Sequence, residues 1–162
     1  MIDLIPIDVD NLRRLADREP VDFGDIQVAA GALPPHHVAK RSLSHLQAGM
    51  PPLWCTPFLI VTRSRDAILG GCTFKTAPMQ GRVEIGYGVA PSHRGRGVAT
   101  AAVAELLRIA SASGIVRQVV AHVLPRNLAS SRVVSRLGFE QETALVDADG
   151  EEVVPWVWRV GR

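Results

Sequence analysis

Val83–Ala112 reads VEIGYGVAPSHRGRGVATAAVAELLRIASA, and its order of residue types predicts a strand, a basic glycine-rich turn and a helix. Val83, Ile85, Tyr87 and Val89 alternate with Glu84, Gly86 and Gly88, the period-two pattern of a strand. Gly86 and Gly88 leave one strand face nearly bare, so another molecule can come close to the backbone. Pro91 and Ser92 end the strand, and Arg94-Gly95-Arg96-Gly97 makes the turn. From Val98 to Ala112 the chain is rich in Ala and Leu. Ala102, Leu106 and Ile109 recur at helical spacing, and Gly114 is a suitable C-terminal stop. The first N–H groups of such a helix have no partner within it and sit at its positive end. Glycines remove the side chains that would hold a phosphate away, and two arginines add charge. The stretch therefore predicts a cradle for a pyrophosphate.

Neither the G-x-G-x-x-G of a dinucleotide fold nor the Gly-Lys-Ser/Thr of an ATP-binding loop is present. Arg94-Gly95-Arg96-Gly97-Val98-Ala99 instead spells R-x-x-G-x-A, directly after a strand carrying Glu-x-Gly-Tyr. That combination resembles motif A of the GNAT superfamily of N-acetyltransferases, in which the loop holds the pyrophosphate of acetyl-CoA. About thirty residues on, a strand over Val119–Leu124 is followed by Pro125-Arg126-Asn127, a helical segment Leu128–Leu137, and Gly138-Phe139. This is similar to the family's next motif: Asn-x-x-Ser/Ala, a short helix, then Leu-Gly-Phe. Asn127 can cap the helix and Gly138 can end it in the left-handed conformation. The two motifs stand in the right order and span Val83–Phe139, about a third of the chain. The pattern is nearest the RimJ/RimL-like group.

The resemblance implies a mixed α/β fold: a central, mostly antiparallel sheet of about seven strands, one parallel pair splayed around the cofactor, and about four flanking helices. It implies acetyl-CoA as co-substrate, a primary amine as acceptor, and no metal. The cofactor-binding residues would be Tyr87, Gly88, Val89, Arg94, Gly95, Arg96, Gly97, Val98, Ala99 and Thr100, with Asn127 on the pantetheine arm and Ser130 toward the coenzyme A sulfur. Dimers are frequent in that family, so a homodimer is among the implied partners.

The implied reaction needs a neutral attacking amine, a donor for the oxyanion and a proton for the departing thiolate. Glu84 shares the face of Gly86 and Gly88 and is the first candidate base. His122 is the second, five residues before Asn127, where some relatives carry a catalytic Glu; its neutral form is available at pH 7. The backbone around Gly88 and Val89 could supply the oxyanion donor. Many members carry a Tyr seven residues after the motif Asn as general acid, but this chain has Val134 there. Ser130 matches the Ser of the RimJ/RimL-like subgroup and becomes the candidate donor to sulfur. A non-catalytic acyl-CoA sensing domain is the alternative, with Val134 as the feature in its favour.

Composition sets the outer bounds. The 162 residues fit one domain, 1–162, with 47% hydrophobic and 21% charged residues. A net charge of +2 is too small to imply a nucleic-acid partner. Cys55 and Cys72 stand apart, so neither zinc nor a redox pair is suggested, and free buried thiols are expected. MIDLIPIDVD lacks a basic region before an apolar run and predicts no signal peptide. No run approaches a membrane span, and the cytoplasm is the expected compartment.

The remaining elements follow from pattern. Ile2–Ile7 predicts a first strand, at an edge because of Pro6. Asp10 would cap a helix over 11–18 with Leu12 and Leu15 inward. Residues 19–35 predict a loop with a short helical piece over 27–30, and Pro35 starts a helix to Gln47. Residues 58–62, 67–74 and 83–89 form an antiparallel meander, and 115–124 returns parallel to the last of these. Residues 139–146 and 153–160 close the sheet around a turn at Asp147–Gly150. His36, His37 and His45 lack metal spacing. Asp147-x-Asp149-Gly150 reads as a turn rather than a calcium loop. Trp156 and Trp158 share one strand face and predict core or acceptor-pocket packing.

Overall fold

The computed structural model describes residues 1–161. Its sheet is built from β1 (Ile2–Pro6), β3 (Phe58–Thr62), β4 (Ala67–Phe74), β5 (Arg82–Val89), β6 (Gln118–Val123), β9 (Glu152–Arg159) and β7 (Glu140–Gln141), in that spatial order. Two short strands lie off this path: β2 (Gln27–Val28) on β4 and β8 (Leu145–Val146) on β9. The expected meander β3–β4–β5 is antiparallel, and β5 pairs with β6 in parallel. β1 takes the sheet edge, where Pro6 interrupts nothing on its outer side. Four helices flank the sheet: α1 (Val9–Ala16), α2 (His36–Gln47), α3 (Val98–Ala112) and α4 (Leu128–Arg136).

The alternation on β3 divides the core. Phe58 and Ile60 join a cluster with Leu106 and Ala110 of α3, Val134 of α4, Val83 and Ile85 of β5, and Trp156. Leu59 and Val61 join the other cluster, with Leu12 of α1, Ala39 of α2 and Ile68. The sheet thus carries α3 and α4 through one cluster and α1 and α2 through the other. Trp54 meets Phe74 edge-on, with ring centroids 5.0 Å apart. Trp158 packs against the same cluster as Trp156. Cys55 and Cys72 are free and buried.

Several boundaries differ from the sequence reading. The cap of α1 is Asp8, not Asp10: Asn11 N–H donates to Asp8 Oδ2 at 3.0 Å. Residues 27–28 are a strand, not a helical piece. Gln27 N–H donates to Asp66 O and Ala29 N–H to Ile68 O, so pairing with β4 overrides local preference. This adds a second, two-residue parallel pairing to the sheet. β6 begins at Gln118 and leaves Ile115 exposed.

The strand expected over 139–146 is broken into β7 and β8. Glu142 N–H donates to Pro155 O, but Pro155 has no N–H to return, so the ladder stops there. The turn beyond β8 forms as expected. Asp147 Oδ1 accepts from the N–H groups of Asp149 and Glu151, both at 2.9 Å.

One buried polar residue fixes the long segment after α1. Asn11 is 4% exposed. Its Nδ2 donates to Asp22 O and Asp8 Oδ1, and its Oδ1 accepts from Asp22 N–H at 2.8 Å. The segment that later walls a cleft is thereby tied to the start of α1.

Burial pushes the Asp8 carboxyl up, but the side-chain and backbone hydrogen bonds from Asn11 outweigh it and hold the carboxyl below its usual range. A carboxylate held low in the folded state stabilises above its unfolded pKa, and that stability is lost as pH falls through the folded value. Asp8→Ala should therefore cost about 0.5–1 kcal/mol at neutral pH, the low end for a cap because the group is exposed. The difference should shrink as pH falls below about 4. Urea unfolding of both proteins across pH checks this.

Candidate functional site

β5 and β6 pair from Arg82↔Gln118 to Ile85↔Ala121 and then part. Beyond that point β5 stays on β4 as far as Val89↔Gly70, while β6 stays on β9 as far as Val123↔Val154. One edge of Gly86–Val89 is left without a strand partner. Backbone N–H and C=O groups along such an edge are available to a ligand.

A cleft of about 530 Å³ opens there, between the end of β5, the following turn, the start of α3 and one face of α4. Gly97, the N-cap of α3, has φ 78°, and Gly95 has φ 75°. A Cβ at either would meet nothing within 4 Å, so open space lies where a ligand would sit. No side chain caps α3, so its first N–H groups face that space. Arg94 Nε donates to Val89 O at 3.3 Å and holds the turn onto the strand end.

Eleven of the twelve expected cofactor residues line this cleft: Tyr87, Gly88, Val89, Arg94, Gly95, Gly97, Val98, Ala99, Thr100, Asn127 and Ser130. Arg96 is exposed on the turn and is not among the lining residues. Sequence reading missed His93, Ala129, Arg132, Val133 and Arg136. The signal for four of these was present: residues 129, 132, 133 and 136 follow helical spacing and form one stripe of α4. Arg132 and Arg136 bring positive charge to the side opposite the cradle.

Asn127 caps α4 as expected, with Oδ1 accepting from Ser130 N–H at 3.1 Å. That leaves its Nδ2 for a ligand carbonyl. The hydroxyls of Ser130 and Tyr87 share a hydrogen bond of 2.5 Å. Burial pushes the Tyr87 phenol up, against the pull of that bond. Tyr87 thus stays protonated at neutral pH and is a proton donor rather than a phenolate. Val134 faces the core and is fully buried, away from the cleft.

The two candidate bases, far apart in sequence, come together. His122 Nδ1 stands 3.3 Å from Glu84 Oε1, and Glu84 Oε2 is paired with Lys75 Nζ. Neither Glu84 nor His122 lines the first cleft. A Cβ on Gly86 would lie 3.2 Å from Lys75 Cε, so the bare backbone at 86 gives room to the lysine stem as it crosses to Glu84.

A second cleft, of about 340 Å³, lies between the segment Gly31–Arg41 and strands β4 and β5. It shares Tyr87, Gly88, Val89 and Arg94 with the first, so the two meet along the same bare strand. Cys72 also lines it, with its thiol pushed far up by burial and so not a nucleophile at neutral pH.

The family model described as acetyltransferase (GNAT) domain matches residues 7–140. The uncharacterized N-acetyltransferase p20 of Bacillus licheniformis is 33% identical over 91 residues, 56% of this chain and 51% of that protein. The chain thus spans about half the length of that curated relative. RimL, the ribosomal L7/L12 alpha-N-protein acetyltransferase in complex with coenzyme A, is similar in structure, with a TM-score of 0.69 at 17% identity over 99% of this chain and 94% of that one. Aminoglycoside acetyltransferase AAC(6')-Ib in complex with coenzyme A gives a TM-score of 0.70 at 17% identity over 99% and 95%. At these identities the structural likeness is one of fold.

Gly97→Glu should weaken coenzyme A binding at least about a hundredfold, since it puts bulk and negative charge against a pyrophosphate. Gly97→Ala shares the backbone strain of φ 78° without the charge and should weaken binding far less. Calorimetry with coenzyme A separates them; equal affinities in all three proteins would move the cradle elsewhere.

Proposed function

This chain belongs to the acetyltransferase (GNAT) domain family, and from that premise we propose that it transfers an acetyl group from acetyl-CoA to a primary amine by direct attack in a ternary complex. The observation that carries this reading is the meeting of two clefts at Tyr87–Val89, the strand edge that β6 leaves bare. A thioester laid in one cleft and an amine in the other reach each other without a covalent carrier on the protein. The pattern is nearest the RimJ/RimL-like group, and the compartment is the cytoplasm, where acetyl-CoA is found.

The groups that the reaction requires lie at the junction, except the base, Glu84 with His122, which lines neither cleft. The open N-terminus of α3 and the arginines of the turn and of α4 hold the pyrophosphate. Asn127 Nδ2 reaches the pantetheine arm, and a backbone N–H near Gly88 or Val89 receives the developing oxyanion. The amine must lose a proton: for a Lys-like amine at pH 7 the free base costs about 4.6 kcal/mol, for a peptide α-amine only about 1.4. Glu84 and His122 form one base rather than two alternatives. Glu84 fixes the imidazole through Nδ1 and leaves Nε2 to take the proton, through water.

When the tetrahedral adduct collapses, the C–S bond breaks and the sulfur keeps its electron pair. Ser130 donates a hydrogen bond to the sulfur, Tyr87 donates to Ser130 through their shared bond, and the thiolate takes its proton from solvent. The thiolate is a weak base, so its protonation at pH 7 is favourable by roughly 2 kcal/mol on the Cys reference. The Tyr absent at 134 is therefore not required. Val134 lies in the core, so its identity answers to packing and lends no support to a sensing domain.

Release of free coenzyme A across an amine panel tests the reading. Ser130→Ala should lower kcat about 10- to 100-fold with coenzyme A affinity within about twofold, and Tyr87→Phe should lie between it and wild type. His122→Gln should lower kcat about 100-fold with coenzyme A affinity unchanged, and Glu84→Gln should lower it less. Val134→Tyr should cost about 1–3 kcal/mol of stability by overpacking and give no gain in rate. Tight coenzyme A binding with no turnover on any amine would replace the enzyme with a sensor.

A further inference from the structure

The second cleft carries a charge, that of Arg41, that the proposed reaction does not explain. Arg41 of α2, Lys75 at the end of β4 and Arg94 of the turn all line it, with His37 at its rim. No Asp or Glu is among its lining residues. Lys75 is already paired with Glu84, which stands behind it. Among the described residues neither Arg41 nor Arg94 has a carboxylate partner, and Arg94 is engaged with Val89 O. Arg41 is half-buried and faces the cleft uncompensated. Between these cations the walls are apolar, with Leu33, Pro34 and Val38.

From this arrangement we propose that the acceptor is a small amine carrying its own anionic group, a carboxylate or a phosphate, which Arg41 binds. The inference rests on the acetyltransferase reading and names the substrate class of its second cleft. A polyamine or any other polycation would bring charge of the same sign to Arg41 and Arg94 and find no carboxylate on the walls. An anionic amine satisfies the guanidinium with a two-pronged bond and lays its carbon chain on Leu33, Pro34 and Val38. The cleft's modest volume fits a compact acceptor.

The test uses amines matched in length. With acetyl-CoA saturating, 5-aminopentanoate should give a kcat/KM at least about tenfold above that of 1,5-diaminopentane. Arg41→Gln should lower that value about tenfold through KM, with kcat and coenzyme A affinity nearly unchanged. Arg41→Glu should reverse the order of the two amines. Short peptides beginning Ser-Asp and Ser-Lys form a third arm. A preference for Ser-Asp that exceeds the small acid would move the anion onto a peptide and overturn the small acceptor.

Calorimetric titration of both amines into the protein saturated with coenzyme A keeps the test independent of turnover. If no amine is acetylated but 5-aminopentanoate binds better than the diamine and loses that advantage in Arg41→Gln, the catalytic reading fails and the cleft assignment stands. A wild-type preference for the diamine, or a ratio untouched by Arg41→Glu, overturns the assignment.

Discussion

After Ile85↔Ala121 two neighbouring parallel strands stop exchanging hydrogen bonds, and the rest of the molecule depends on how that loss is handled. An unpaired strand edge inside a sheet is costly, because its amide and carbonyl groups need partners. Here each strand keeps its other neighbour, so neither is lost: β5 stays on β4 and β6 stays on β9. The gap between them is kept open by what stands at its mouth, the turn before α3 on one side and α4 on the other. A ligand with amide groups of its own can complete the ladder, so the defect is open to one.

The glycines follow from the same geometry. At Gly70 a Cβ would come within 2.2 Å of Gly88 O, so β4 can hold β5 at that place only without a side chain. At Gly88 and Gly97 a Cβ would meet nothing within 4 Å, so the space beside the backbone is open there, and Gly97 is in addition held at φ 78°, which favours glycine. The two kinds of glycine look alike in sequence. Gly70 is demanded by packing and Gly97 by its backbone conformation.

Charge separates the two clefts from the rest of the surface. The acid beside the clefts is consumed locally: Glu84 is taken by Lys75 and His122. The arginines are left facing space. This matters more than the net charge of +2, because a chain nearly balanced overall still presents one sign where it binds.

Sequence alone determined the elements whose cause is local. Alternation gave β5, the glycines and arginines gave the cradle, and Asn127 with Gly138 bounded α4. Eleven of the expected cofactor residues lie together for that reason, because the motif is contiguous with the elements that aim it. What only the tertiary structure decided depends on strangers in the chain meeting. Asp66 and Ile68 turn residues 27–28 into a strand, and the missing N–H of Pro155 cuts the strand after Gln141. Glu84 and His122 become neighbours only because β5 and β6 are in register up to the point of parting. The same holds for Tyr87 and Ser130, 43 residues apart. Arg41 and Lys75 carry no motif, and only the closure of α2 over β4 puts both on the wall of one cleft. Periodicity reports which face of an element is apolar; it cannot report which other element that face, or the opposite one, will meet.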